Sequence, residues 1–116
     1  MSKLTDKNRL NLFLSAHRAV LVIVTPNIRS IYIRDTEDNE GLIDISLVAY
    51  FTSDPTENER ELFSIAMAEI ISDIPPDLLQ GLTYDEELIV LESPQQWTCK
   101  ENERPIYIRY EPSSDT

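Results

Sequence analysis

Glycine, cysteine and histidine are nearly absent from this 116-residue sequence, which has two glycines, one cysteine and one histidine. With so little glycine there is no GxGxxG turn and no phosphate-binding loop, so nothing supports nucleotide binding. Cys99 has no second cysteine for an internal disulfide and fits a reducing compartment. Cys99 and His17 fall short of a classical zinc site, and as a nucleophile–base pair they have no third residue to orient them. The oxygen-rich segment DTEDNEG, Asp35 to Gly41, is too short and wrongly spaced for an EF-hand loop. No metal or cofactor is therefore expected. Long apolar runs are missing too: Leu12 to Val24 is interrupted by His17 and Arg18, and no stretch has signal-peptide form or transmembrane length. The expectation is a cytoplasmic protein without a membrane association.

What is plentiful is negative charge. The formal net charge is −11, and it is unevenly placed. Residues 1–34 hold six Lys/Arg against one acid, whereas residues 35–92 hold sixteen Asp/Glu against Arg60 alone. Such a field repels nucleic-acid phosphates and speeds encounter with a basic partner; its plainer consequence is solubility.

The most legible element is DPTENERELFSIAMAEIISDI, Asp54 to Ile74. Asp54–Pro55 or Thr56 can start a helix, and Thr56 with Glu59 has the spacing of a capping box. Glu57, Glu59 and Glu61 suit the positive end of the helix dipole. Leu62, Ala66, Ile70 and Ile74 share one stripe and Phe63, Met67 and Ile71 a neighbouring one, and Pro75–Pro76 ends the run. An amphipathic helix over about Thr56–Asp73 is predicted, laid across a small antiparallel sheet. A first helix is predicted over Thr5–Arg18. Val20 to Val24 reads as a short strand or the way into one, before a turn at Thr25–Asn27. Ile28 to Arg34 alternates, with Arg29, Ile31 and Ile33 on one side and Ser30, Tyr32 and Arg34 on the other. Leu42 to Phe51 is the longest strand and pairs with it as a hairpin, because the connection is too short for a parallel crossover. Asp77–Gln80 suggests a helical turn, Leu88–Leu91 a short strand, Ser93–Arg104 a long loop anchored by Trp97 and Cys99, and Pro105–Tyr110 a final strand. Residues 111–116 form a tail. Residues 1–116 thus make one α+β domain, four to five strands with two main helices on one face.

Acids are so frequent that no pair stands out as catalytic. Glu69 and Asp73 share a helix face and could serve as a glycosidase-like pair. Glu69 also lies close to the apolar stripe, where an inward lean toward an arginine or tyrosine would make it part of a structural polar network.

Between Val24 and Asp73 the TPNIRSI turn and strand, the strand ending in Tyr50–Phe51, the helix start DPTENERE and the end AEIISD resemble immunity proteins of bacterial contact-dependent inhibition and related polymorphic toxin systems. Ala68 stands where that pattern has threonine, and SDIP replaces ADF at its end. The resemblance implies a non-enzymatic antitoxin that binds the C-terminal domain of a cognate toxin, often a basic nuclease, and covers its active site or substrate surface. Candidate contacts are Asp35, Glu37, Asp38 and Glu40 in the acidic loop, Asp85, Glu86 and Glu87 after the helix, and Tyr84 and Trp97 as anchors. Core packing is the alternative for Trp97. Two rival readings are a small hydrolase using Glu69 with Asp73 and an acidic adaptor outside any toxin system.

Overall fold

In the computed structural model the described residues are 5–21, 23–92, 95–98 and 102–109. The anchoring role expected of Cys99 and the tail at 111–116 lie outside them. The elements are α1 (Asp6–Val20), β1 (Ile28–Glu37), β2 (Ile43–Phe51), α2 (Glu57–Ser72), the short α3 (Pro76–Leu79), β3 (Thr83–Val90) and β4 (Glu103–Ile108). The strands form one sheet in the order β3-β2-β1-β4, and this is the expected small α+β fold with two main helices.

Both helices start as their sequences dictate. The Thr5 hydroxyl accepts the Asn8 N–H at 3.1 Å to cap α1. At α2 the full capping box forms: the Glu59 N–H reaches the Thr56 hydroxyl at 3.1 Å, and the Glu59 carboxylate takes the Thr56 N–H at 2.9 Å. Leu12, Ala16, Ala19 and Val20 of α1 and Phe63, Ala66, Met67 and Ile70 of α2 bury together against Ile31, Ile33, Ile43, Ile45, Leu47, Ala49 and Phe51 of the sheet. Each large side chain removed from water here contributes roughly 1.5–3 kcal/mol. The opposite sheet face carries a second, smaller cluster of Tyr32, Val48 and Tyr50, covered by Ile89, Leu91 and Trp97.

Four local readings need correction. Among the described residues of the Val20–Val24 run there is no strand: Val20 closes α1, and Ile23 donates its N–H back to the Val20 carbonyl in a turn. β1 runs on through Asp35, Thr36 and Glu37, so the connecting loop is confined to the turn beyond them. β3 begins at Thr83, five residues earlier than its apolar part suggests, and it runs parallel to β2 rather than antiparallel. The cause of the last is α2 itself, which carries the chain back along the sheet before β3 starts, as in any strand–helix–strand crossover. Finally, Arg29 does not share a side with Ile31 and Ile33. The β1–β2 register slips between Ile28 and Ser30, and this bulge sends Arg29 to the face of Tyr32 and Tyr50.

Candidate functional site

The parallel register of β3 has a direct consequence for charge. Asp44 at the start of β2 sits opposite Thr83, and Ser46 opposite Asp85, so β3 begins beside the β1–β2 hairpin. The hairpin acids Glu37–Glu40 thus lie at one end of the sheet, and Asp85–Glu87 lie on its margin three to five residues further in, opposite Ser46–Val48 of β2.

The hairpin turn is built by Asp38. Its carboxylate accepts the N–H groups of Glu40 and Leu42 at 2.9 and 2.8 Å, and its carbonyl accepts that of Gly41, which takes φ 82°. Asp38 and Glu40 are exposed, and Glu37 is half-buried at the end of β1. On the open face of the sheet, Arg34 forms a bidentate pair with Glu87, at 2.7 and 3.3 Å, and donates to the Ser46 hydroxyl at 3.1 Å. Glu103 lies 3.6 Å from the same guanidinium. Ser46 donates to Asp85, and Thr83 to Asp44 at 2.6 Å. The hydrogen bonds that Arg34 donates to Glu87 raise its pKa above the ordinary value, against the opposing effect of burial and with help from the nearby charges of Glu87, Glu103 and Asp85. One fixed cation thus orders several carboxylates that outnumber it. On the helix face of β3, Glu86 accepts the Ser64 hydroxyl at 2.8 Å, and the Tyr84 side chain is 54% exposed.

Asp35 does not belong with these. It is 1% exposed within β1 and bridges Arg9 at 3.3 Å and Arg104 at 2.9 Å, with Arg104 also lying over the Phe13 ring. Its proximity in sequence to an exposed turn concealed an inward position. Trp97 packs as well: its ring stacks on Tyr50 at 5.7 Å, its indole N–H donates to the Tyr32 hydroxyl at 2.6 Å, and the Arg29 guanidinium lies 4.8 Å from its centroid. Arg29, fully buried, also donates to the carbonyls of Leu91 and Gln95 and so pins the segment that carries Trp97.

The acid expected to lean inward from α2 is a different one. Glu69 is exposed on α2, whereas Glu59 is 5% exposed at its start. The Glu59 carboxylate accepts the Thr25 hydroxyl and the Asn27 amide, the latter at 3.2 Å, besides its capping-box bond. Asn27 also ties to Ser53 through both its oxygen and its nitrogen. The conspicuous TPN turn therefore joins the ends of β1 and β2 to the start of α2. Burial opposes ionisation of Glu59, but hydrogen bonds from Thr25, Thr56 and Asn27 outweigh it and hold the pKa below the ordinary value. The closeness to the apolar stripe that made Glu69 attractive reflects helix periodicity only; the capping-box spacing was the better guide to a buried acid.

The hydrolase constellation does not assemble. Asp73 accepts the Ser15 hydroxyl at 2.6 Å and lies 3.5 Å from Arg18, tying the end of α2 to α1, while Glu69 points to solvent. His17 is exposed beside Phe13. Among the described residues no group of three or more His, Cys, Asp or Glu is placed to hold a metal ion, and no helix is long and apolar enough to cross a membrane.

A search of curated proteins gives no match. Compared with protein-family models, residues 9–111 match that of the MafI2 immunity protein, a span from the first turns of α1 to beyond β4. The match supports an immunity protein of a polymorphic toxin–immunity system, a non-catalytic class, without singling out contact-dependent inhibition. With nearly the whole folded chain inside that match, the protein belongs to the MafI2 family of immunity proteins.

Proposed function

We propose that this protein neutralises a cognate toxin, a basic nuclease domain, by binding it one-to-one in the cytoplasm and covering the surface its nucleic-acid substrate needs. The binding surface in this reading is the hairpin end and the β3 margin of the sheet: Glu37, Asp38 and Glu40, then Asp85 and Glu87 on one side of the margin and Glu86 on the other, with exposed Tyr84 as the anchor. One observation carries it, the parallel β2–β3 pairing that sets Asp85–Glu87 along the sheet margin next to the strand that leaves the acidic hairpin. A surface that binds nucleic-acid phosphates is basic, and an acidic face complements it; charge then sets association rate and partner choice, while strength comes from a few anchored side chains. Asp35 and Trp97 fall outside this face because both are engaged in holding the fold.

The test is co-expression with the C-terminal domain of the toxin encoded immediately upstream, followed by growth and size-exclusion chromatography. Survival only in the presence of this protein, with a one-to-one complex, supports the reading. A folded protein that neither rescues growth nor co-elutes overturns the cognate assignment.

A further inference from the structure

The two margins of the sheet are built differently. β4 has six residues, includes Pro105 and pairs with β1 across a register shift between Ile31 and Tyr32, all of which blunt an edge. β3 has eight residues in unbroken register with β2, contains no proline and is at least partly exposed at every position. It stands last in the strand order, and among the described residues no strand lies beyond it. The outward N–H and C=O groups of such a margin are a template for one more strand.

Charge decides which strand. Asp85, Glu86 and Glu87 are consecutive, and no Lys or Arg occurs between Thr83 and Val90. A second copy added antiparallel about Glu86 would set Glu86 against Glu86 and Asp85 against Glu87. Like charges directly opposite are destabilising, so β3 discourages pairing with itself. A strand bearing Lys or Arg at those positions gains attraction instead. The three carboxylates are also ordered in advance, Asp85 by Ser46, Glu87 by Arg34 and Glu86 by Ser64, which reduces the side-chain ordering left for binding.

We propose that β3 is an acceptor edge for an extended basic strand of the toxin, which joins the sheet beyond it. The proposal rests on the immunity reading above and specifies how the partner is held: main-chain bonds grip the strand, and the acids fix its sign and register.

Amide hydrogen exchange on the full chain, alone and with the C-terminal domain of the toxin encoded immediately upstream, tests it. In the complex, amides of Thr83–Val90 should exchange at least ~10-fold more slowly than in the free protein. Glu86→Lys should weaken the complex about tenfold while leaving exchange in α1 and in β1 of the free protein unchanged. A stoichiometric complex with unslowed β3 amides overturns strand addition and leaves the immunity reading standing. Absence of any complex overturns both. Slowing of β3 exchange with rising concentration of the protein alone would name a second copy as the occupant and overturn the proposal.

Discussion

Replacing Glu59 should loosen the junction of α2 with the sheet, and it should do so in a pH-dependent way. In Glu59→Ala the capping box loses its return bond, about 1 kcal/mol. The Thr25 hydroxyl and the Asn27 amide lose their charged acceptor. Those two groups line an open groove with Pro26, Ser53, Asp54, Thr56 and Asn58, so water replaces part of what is lost and each contributes about 1 kcal/mol. The total is about 3 kcal/mol, or a fall in Tm of roughly 10 °C for a domain of this size. Urea unfolding followed by circular dichroism measures it. Glu59→Gln isolates the charge. Because the folded pKa of Glu59 is lowered, the unfolded chain takes up its proton first as pH falls. The stability contributed by the charge is therefore complete above the ordinary value of 4.5 and is lost as pH drops through the lower folded value. The gap between the parent protein and Glu59→Gln should be widest near neutrality and narrow below about pH 4.5. A gap that stays constant or widens on acidification would refute the reasoning.

Asp35→Asn should destabilise the fold by about 2 kcal/mol, less than the loss for a fully buried pair because Arg9 and Arg104 are a third exposed and can turn to water. Toxin affinity of the folded variant, measured by calorimetry, should not change. Trp97→Phe keeps the stack on Tyr50 but removes the indole bond to Tyr32, at a cost of about 1 kcal/mol in urea unfolding. Gly81 has φ +78°, and an added Cβ would lie 2.7 Å from the Leu42 side chain. Leu42 is exposed and can swing aside, so Gly81→Ala should cost about 1 kcal/mol, mostly from the left-handed backbone, read as a lower thermal midpoint.

Where one local signal sufficed, the fold was legible in the sequence. Thr56 and Glu59 announce the α2 start by spacing alone, and the alternation of Ile43, Ile45, Leu47, Ala49 and Phe51 marks the core face of β2. What escaped depends on pairing between distant segments. Thr83–Glu87 reads as a polar loop because, at a sheet margin, no side of it is deeply buried; it is a strand because β2 supplies the ladder. Arg29 breaks the alternation through a bulge that only the register with β2 exposes. Asp35 and Glu59 look like surface acids until Arg104 and Asn27, remote in sequence, are brought to them. The candidate face shared this character. Its two acidic segments were visible separately, but their placement on adjoining parts of one sheet required the pairing and direction of β3. The TPN turn, conspicuous in sequence, proved to be part of the scaffold.

The central claim is that the acidic hairpin end and the adjoining β3 margin of the sheet meet the toxin. Its most direct test compares two double charge reversals by association kinetics with the toxin domain at low and physiological salt. Glu40→Lys with Glu86→Lys alters the proposed face, whereas Glu57→Lys with Glu61→Lys makes the same change in net charge at the start of α2, by the other end of the sheet. The account predicts that the first pair slows association about 10-fold or more at low salt, less as salt rises, and that the second changes it little. Equal slowing by both would reduce the acidity to a general field, and slowing by the second alone would move the binding face to the opposite end.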